Sequence, residues 1–340
     1  MSEFVNSALL QRLVNGAELN RSDAQSALAD ILTGSVDPLL IASFVTSLTT
    51  RNVTAEEMTG FVDAMMAVST RVDVPDSAID IVGTGGDLSH SVNVSTMAAL
   101  TVAGAGVPVA KHGNRAASSS VGTADVLEGL GLVLEQTPET VRRSIDECNF
   151  GFCFAPVFHP ALRHLAPIRR TLGFRTVFNF LGPLASPAQV RRGLFGVSDD
   201  TALDRMAHVL RSRGVIDALC VYSDDGLDEI SVGAPSTWVR ITDGEIRTER
   251  FDPASVNMSH SVADIRGGDL ATNVRAVEEY LAGKEGAVAD IVSVNAAAAL
   301  IVAGVASSMA DGIEIARDSI RSGRAGDVLS HAVAASRTAS

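Results

Sequence analysis

Ile79-Asp80-Ile81-Val82 runs directly into the loop Gly83-Thr84-Gly85-Gly86-Asp87, and this order predicts a buried strand that ends in a tight turn. A helix is predicted next, over Met97–Ala105, and a second strand over Val107–Ala110. A strand, a helix and a second strand in this order are typical of the βαβ unit of a parallel sheet. We therefore expect the chain around this loop to form an α/β domain.

Helices and strands continue to alternate toward the carboxyl end. Further helices are predicted over Thr123–Leu130, Pro138–Cys148 and Ala202–Arg213, and further strands over Leu132–Leu134, Phe152–Ala155, Gly193–Val197 and Ala218–Tyr222. The turn residues Thr242–Glu245 predict a hairpin between two more strands, Trp238–Ile241 and Ile246–Glu249. The pattern predicts a larger α/β domain over residues 78–340, with a mostly parallel central sheet flanked by helices.

The residues before the first strand have only helical patterns. Three helix starts are predicted from capping patterns: Ser22 with Gln25, Asp37-Pro38, and Thr54 with Glu57. The sequence therefore predicts a small all-helical domain over residues 1–72. A further helix is predicted over Pro160–Leu172, and we expect residues 160–185 to return to this small domain.

The composition narrows the classes of function. The 340 residues include 27 Lys and Arg against 40 Asp and Glu, a net charge of -13, which disfavours binding to nucleic acid or to anionic lipid. Three cysteines without metal-ligand spacing argue against a disulfide framework or a zinc module. The amino-terminal residues lack a signal-peptide pattern, and no apolar run reaches about 18 residues. We expect a soluble cytoplasmic protein that binds neither membrane nor nucleic acid.

The glycine-rich loop is the first candidate for ligand binding. Its glycines allow a tight turn with main-chain N–H groups facing an anion, and the helix that follows begins near Asn93–Thr96, which adds a positive helix end. Such a turn is also common as a simple connection. The loop lacks the third glycine of a dinucleotide fingerprint and the Gly-Lys-Ser/Thr of a P-loop.

The segment Lys111–Ser119 follows the second strand and should border the same crevice. Its lysine, arginine and hydroxyl groups suit a ligand with several phosphates, although a solvated polar loop would have a similar composition. Later in the chain, the adjacent carboxylates Asp228 and Glu229 suit a hard cation that bridges phosphates, with Ser95 and Asp87 as further oxygen ligands. Alone, such a pair is more often a surface charge.

Apolar and cationic residues occur together between Phe154 and Arg170. The apolar segment Phe154–Pro160 is followed by Arg169 and Arg170, and an aromatic acid would need both an apolar slot and a cation for its carboxylate. Either arginine is equally explained as a charge near a helix carboxyl terminus.

Taken together, these segments resemble the anthranilate phosphoribosyltransferases over essentially the whole chain. The matching strings are GTGGD at 83–87, NVST at 93–96, KHGNR at 111–115, ADVLEGLG at 124–131, FAPVFHPA at 154–161, PIRRTLGFRTVFNFLGPL at 167–184, DGLDEIS at 225–231 and RGGD at 266–269. The resemblance implies a helical domain plus an α/β domain, and a homodimer formed through the helical domain. It also implies transfer of the phosphoribosyl group of phosphoribosyl pyrophosphate to anthranilate, the second step of tryptophan synthesis from chorismate, through an oxocarbenium-like transition state.

The resemblance also implies roles for individual residues. Contacts to phosphoribosyl pyrophosphate are implied for Gly83, Gly86, Asp87, Ser91, Asn93, Val94, Ser95, Thr96, Lys111, Ser119 and Thr123. Contacts to anthranilate are implied for Gly83, Asn114, Arg169, His112 and His159. Ser95, Asp228 and Glu229 resemble ligands of Mg²⁺, with two ions expected per subunit.

Some positions depart from the family pattern, and three other functions compete with this one. Val121 replaces a serine, Tyr222-Ser223 replaces His-Gly, and Ser186 replaces an asparagine before Pro187. A pyrimidine nucleoside phosphorylase shares the architecture but has different lysine and arginine loops. A non-catalytic, nucleic-acid-binding paralogue is opposed by the acidic charge and the intact carboxylate pair. A dinucleotide oxidoreductase is opposed by the incomplete glycine fingerprint.

Overall fold

The computed structural model describes residues 4–116 and 121–337. Its amino-terminal part contains α1 (Ser7–Val14), α2 (Arg21–Leu32), α3 (Pro38–Arg51) and α4 (Ala55–Ala67). Two of the three predicted helix starts are confirmed. The Asp37 side chain accepts a hydrogen bond from the Leu39 N–H at 2.7 Å, and Thr54 with Glu57 forms a capping box.

The predicted capping box at Ser22 and Gln25 is wrong. The helix begins earlier, at Arg21, because the Asn20 side chain accepts a hydrogen bond from the Asp23 N–H at 2.8 Å. Asparagine and serine are about equally good capping residues, and here the earlier one forms the cap.

The rest of the chain alternates strands and helices. The seven strands are β1 (Ile79–Gly83), β2 (Val109–Gly113), β3 (Phe150–Phe154), β4 (Arg192–Gly196), β5 (Asp217–Ser223), β6 (Ser236–Thr242) and β7 (Glu245–Phe251). The helices are α5 (Val94–Gly104), α6 (Thr123–Gly129), α7 (Pro138–Cys148), α8 (Ala155–Phe158), α9 (Ala166–Leu172), α10 (Phe178–Leu184), α11 (Leu203–Ser212), α12 (Leu270–Leu281), α13 (Ala287–Val302), α14 (Met309–Arg321) and α15 (Arg324–Arg337). Short 3₁₀ turns cover Pro160–His164, Asp200–Ala202, Pro253–Val256 and Val262–Ile265.

All seven strands form one sheet in the order β3-β2-β1-β4-β5-β6-β7. The pairs from β3 to β5 are parallel, and the hairpin β6–β7 adds two antiparallel strands at one edge. The predicted α/β fold with a mostly parallel sheet is therefore confirmed. After β1, the chain forms β2 and β3 on one side of β1, and it then forms β4 on the other side of β1. A crevice opens at the carboxyl ends of the strands where their order reverses in this way.

Two large apolar clusters hold the elements together. One joins β1 and β2 to α5 and α13 through fully buried residues such as Ile81, Leu100 and Ala298. The other joins the amino-terminal helices to the segment after α8, where Leu165 and Leu181 are buried in the same cluster as Phe44. This packing places the segment beside the helical part and above the crevice of the sheet.

Two local expectations are wrong. Leu132–Leu134 is not a strand, although Leu132 and Leu134 are buried, because a main-chain bond from the Leu132 N–H to the Leu127 carbonyl folds it into a turn. The helix expected over Pro160–Leu172 divides into a 3₁₀ turn and α9, because Pro167 lacks an N–H and fits only the first turn of a helix. Among the described residues, no helix is both long and apolar enough to cross a bilayer.

Candidate functional site

A cleft of about 570 Å³ lies at the carboxyl ends of β1 and β2, beneath α9 and α10. Most of the site residues predicted from the sequence line it: Gly83, Gly86, Asp87, Ser91, Asn93, Val94, Ser95, Lys111, His112, Asn114, Thr123, His159, Arg169, Asp228 and Glu229. Thr96 lies behind the wall, fully buried and 3.4 Å from the hydroxyl of Thr123. Ser119 lies outside the described residues.

The glycine-rich loop is anchored to the strand beside it. The Thr84 N–H donates to the Gly196 carbonyl at 2.9 Å, and the Thr84 hydroxyl lies 2.9 Å from that of Ser198. Gly85 and Gly86 have φ of 66° and 76°, which glycine adopts at low cost. The loop therefore turns sharply at the cleft floor while its base stays fixed to β4.

The Lys111 side chain is buried and points toward the start of α5. Its Nζ donates to the Ile81 carbonyl at 2.6 Å and to the Ser95 hydroxyl at 3.2 Å. Burial lowers the pKa of Lys111, and the nearby carboxylates of Asp80 and Glu229 oppose that shift. Held by two oxygens at the start of a helix, the Lys111 Nζ places a hydrogen-bond donor where an anionic ligand would meet it.

The carboxylates Asp228 and Glu229 lie opposite this lysine. Burial and the neighbouring Asp87 raise the pKa of Asp228 to about 7. Burial and Asp228 raise the pKa of Glu229, whereas Lys111 and the Ser95 N–H act in the other direction. The carboxylates of Asp87, Asp228 and Glu229 lie close enough to repel one another, and a bound cation would remove this repulsion.

The donor set fits magnesium, which prefers oxygen ligands and keeps several waters or phosphate oxygens. Besides the carboxylates, it includes the Ser95 hydroxyl near Lys111. Within residues 4–116 and 121–337, no three His, Cys, Asp or Glu side chains converge closely enough to hold a metal by themselves. A metal in this cleft would therefore need further oxygens, from water or from a phosphorylated ligand.

The wall formed by α9 and α10 is largely apolar and carries the guanidinium of Arg169. The Arg169 guanidinium lies 5.9 Å from the centre of the Phe178 ring, and burial lowers its pKa. No carboxylate of the described residues forms an ion pair with it. A half-buried cation in this setting is suited to a carboxylate ligand.

Two buried histidines lie between this guanidinium and the glycine-rich loop. The ring centres of His112 and His159 are 5.4 Å apart. His159 donates from Nε2 to the Ala185 carbonyl at 2.8 Å, so its Nδ1 carries no proton and can accept a hydrogen bond. That Nδ1 and the Nε2 of His112 have no hydrogen-bond partner within the described part of the chain. Burial, with His159 nearby, lowers the pKa of His112 to about 3, so the His112 ring is neutral at physiological pH.

Asp125 fixes both ends of the loop that follows β2. Its Oδ2 accepts hydrogen bonds from the N–H groups of Ala116, at 3.1 Å, and Gly122, at 2.9 Å. Arg115 pairs with Asp125 and Glu128, and these carboxylates raise its pKa. Arg115 is therefore engaged within the loop, whereas the buried Lys111 directs its charge at the start of α5.

Sequence reasoning did not find two polar residues that support the site. Asp80 is fully buried, accepts a hydrogen bond from the His112 N–H at 3.2 Å, and has a pKa raised by burial to about 7. Asn295 is fully buried on α13 and bonds to Ile230, next to the carboxylate pair. Both stand alone in apolar or alanine-rich runs, and that isolation is the signal that could have identified them.

Comparison with known proteins identifies the family of this chain. The family described as "Glycosyl transferase family, helical bundle domain" matches residues 7–69, and "Glycosyl transferase family, a/b domain" matches residues 75–326. An anthranilate phosphoribosyltransferase of Thermomicrobium roseum is 46% identical, with 96% of this chain and 97% of that protein covered. One from Afipia carboxidovorans is 44% identical, with 99% of this chain and 100% of that protein covered.

Solved structures of proteins with the same name are similar throughout. The structure from Thermus thermophilus has a TM-score of 0.91 at 37% identity, and the match covers 97% of this chain and 99% of the Thermus chain. The structure from Saccharomyces cerevisiae in complex with PRPP and Mg has a TM-score of 0.89 at 28% identity, covering 98% of this chain and 99% of its own. Another from the same yeast contains 4-fluoroanthranilate.

Proposed function

This chain belongs to the anthranilate phosphoribosyltransferases, and we propose that its cleft binds phosphoribosyl pyrophosphate at the glycine-rich loop and anthranilate beside Arg169. The family's reaction joins the anthranilate amine to the anomeric carbon of phosphoribosyl pyrophosphate. N-(5-phosphoribosyl)anthranilate and pyrophosphate are the products, and the reaction belongs to tryptophan biosynthesis. The helical part over residues 1–72, the returning segment 160–185 and the α/β part over 78–340 would together enclose both substrates.

Phosphoribosyl pyrophosphate needs several anion-binding groups close together, and the cleft floor has them. The glycine turn, the amino terminus of α5 and the Lys111 ammonium face one space. We assign the phosphoribosyl pyrophosphate contacts to Gly83, Gly86, Asp87, Ser91, Asn93, Val94, Ser95, Thr96, Lys111, Ser119 and Thr123. Thr96 acts from behind the wall, through its contact with Thr123.

Ser95, Asp228 and Glu229 would hold Mg²⁺, and we propose two ions per subunit. The crowding of Asp87, Asp228 and Glu229 supports this assignment, as does the yeast relative in complex with PRPP and Mg. When bound, magnesium neutralises the charge that develops on the departing pyrophosphate. Through the metal, these carboxylates would hold the ligand phosphates near Lys111 and keep the leaving group on one side of the cleft.

Anthranilate has a carboxylate and an aryl amine on one ring, and the opposite wall matches both groups. The Arg169 guanidinium would bind the carboxylate, and Phe178 and the α8 segment would surround the ring. The Nε2 of His112 and the Nδ1 of His159 would accept the two amine N–H groups, with Asn114 and Gly83 at the boundary between the substrates. A fixed amine directs its lone pair at the anomeric carbon, so positioning replaces a strong base.

The transition state of this displacement is oxocarbenium-like, as in other glycosyl transfers. Positive charge on the sugar rises as the bond to pyrophosphate breaks, while the groups that bind pyrophosphate stabilise the negative charge on the leaving group. The observation that carries the proposal is the placement of a half-buried guanidinium and a carboxylate pair on opposite walls of one cleft.

The experiment that tests this function follows the fluorescence of anthranilate with phosphoribosyl pyrophosphate and Mg²⁺ added together, and with each omitted in turn. We expect loss of fluorescence only when both are present. Persistent fluorescence with a folded protein would contradict the assignment. In that case, phosphate-dependent cleavage of uridine would be assayed, because a pyrimidine nucleoside phosphorylase shares the architecture.

We also propose a homodimer formed through the helical part. Val14 on α1 and Leu39 on α3 are 69% and 77% exposed, so aliphatic side chains of this part are available to a partner surface. Light scattering of the purified chain, with Leu39→Asp as the disrupting variant, tests this assembly. A monomeric mass for the unaltered chain would contradict it.

A further inference from the structure

The loop that carries Asp228 and Glu229 is held on two sides by buried side chains that touch neither substrate space. On the sheet side, the Ser223 hydroxyl donates to the Glu229 carbonyl at 2.6 Å. The Ser223 Oγ also accepts a hydrogen bond from the Ser231 N–H at 3.0 Å, and it lies 2.6 Å from the Ser236 hydroxyl. Ser223 and Ser236 are both fully buried.

On the helix side, Asn295 of α13 holds the next residue of the loop. Its Oδ1 accepts a hydrogen bond from the Ile230 N–H at 2.9 Å, and its Nδ2 donates to the Ile230 carbonyl at 3.0 Å. A third bond, from Nδ2 to the Ile291 carbonyl at 2.9 Å, ties the amide to its own helix. The side chain is fully buried, so a rotation would leave these groups without partners.

The two carboxylates need such support because both must face the cleft from one short loop. Asp228 and Glu229 are adjacent in the chain and both line the cleft. In a loosely held loop they would sample other directions, and a metal would have to order them on binding. A loop fixed from both sides keeps its oxygens in place, so less of the binding free energy is spent on reorganisation.

We propose that Ser223 and Asn295 are positioning residues for the magnesium carboxylates, acting on Glu229 and Ile230 through the main chain. The proposal rests on the metal assignment made under the proposed function.

The test uses Ser223→Ala and Asn295→Leu, with Ser293→Ala as the matched control. Ser293 is buried on the same helix, but its hydroxyl donates to the Ala289 carbonyl of that helix and not to the carboxylate loop. Binding of Mn²⁺ in the presence of inorganic pyrophosphate is measured by electron paramagnetic resonance, without turnover. Circular dichroism follows folding, and KM for anthranilate is measured at saturating Mg²⁺.

We expect Mn²⁺ to bind about tenfold more weakly in Ser223→Ala and in Asn295→Leu, as is common for residues that orient metal ligands. Ser293→Ala should bind it like the unaltered chain, and KM for anthranilate should stay the same in all three. Equal Mn²⁺ affinity in the unaltered chain and Ser223→Ala would overturn the proposal, as would an equal loss in Ser293→Ala. If Asn295→Leu does not fold, Ser223→Ala decides alone, because it removes a single hydroxyl.

This experiment separates two kinds of failure. If the unaltered chain binds no Mn²⁺ with pyrophosphate, the metal assignment under the proposed function fails and this proposal fails with it. If the unaltered chain and both variants bind Mn²⁺ equally, only the positioning role is refuted.

Discussion

The main-chain N–H of Gly85 donates a hydrogen bond to Oδ2 of Asp228 at 2.7 Å, across 143 residues of sequence. A Cβ atom at Gly83 would lie 2.4 Å from the same oxygen. The glycine-rich loop and the carboxylate loop therefore determine each other's position. The site for phosphates and the site for metal form one unit in this fold.

Gly83→Ala should disable the enzyme while leaving it folded. The new methyl group would displace the Asp228 carboxylate, and a shift of about 1 Å in a catalytic group can cost a hundredfold in rate. We expect kcat to fall by about that factor, measured by the fluorescence assay. Gly326→Ala on α15 is the control, because a methyl there meets no atom within 4 Å. Normal turnover in Gly83→Ala would contradict this account.

Arg169→Ala should weaken anthranilate binding specifically. The loss of a charge-assisted hydrogen bond of about 1.5–3 kcal/mol predicts a rise in KM for anthranilate of about tenfold or more. KM for phosphoribosyl pyrophosphate should not change. Arg170→Ala is the matched control, since the neighbouring arginine is exposed and does not line the cleft. An unchanged KM for anthranilate in Arg169→Ala would remove this residue from the site.

Asp228→Asn combined with Glu229→Gln should abolish magnesium-dependent turnover without destabilising the chain. We expect rates to fall by about a hundredfold to a thousandfold, because the charge on pyrophosphate is no longer neutralised. The midpoint of thermal unfolding should stay the same or rise, because the repulsion between buried carboxylates disappears. Asp224→Asn, which breaks only a surface pair with Arg250, is the control. Near-normal rates in the double variant would refute the metal assignment.

Asp80→Asn should change how stability depends on pH. Burial raises the pKa of Asp80 to about 7 in the folded chain, whereas an unfolded aspartate titrates near 4. The folded state therefore binds more protons between these values, and its free energy of unfolding falls as pH rises from about 4 to 7. Asp80→Asn does not lose stability in this way. The difference between its free energy of unfolding and that of the unaltered chain should therefore grow by up to about 1.4 kcal/mol per pH unit in that window, and then level off.

Urea unfolding of Asp80→Asn and the unaltered chain at several pH values between 4 and 8 provides the measurement. Asp76→Asn is the control, because that side chain is exposed on the linker before β1. A difference in stability that does not change with pH would show that Asp80 is ionised in the folded chain throughout this range.

The sequence predicted the features that depend on neighbouring residues. The strand and loop at 79–87, the capping box at Thr54 and the hairpin at 242–245 are local patterns, and the structure has all three. Many of the cleft residues were found because their family motifs are short strings at the ends of strands: GTGGD at β1, KHGNR at β2, FAPVFHPA at β3 and DGLDEIS after β5. Parallel strands bring such strings to one edge of the sheet, so their approximate meeting place followed from the fold class.

Contacts between distant segments could not be predicted in this way. Nothing near Asn295 in the sequence indicates that it bonds to Ile230, and nothing near Ser223 indicates the bond to Glu229. The start of α2 was misplaced for a different reason, because Asn20 and Ser22 are both good caps and only their geometry decides between them. Long-range hydrogen bonds and choices between equivalent local signals depend on the tertiary structure.

The dependence of the carboxylate loop on α13 also has a consequence for synthesis and refolding. A chain that has left the ribosome only as far as β6 already contains the glycine loop, the lysine and both carboxylates. Its active centre is nonetheless unfinished, because Asn295 has not yet been made. The central strand β1 likewise has no neighbour on one side until β4 has been made, because β4 follows β2 and β3 in the chain. Recovery of enzyme activity should therefore be among the last signals in refolding, after most helical structure has returned.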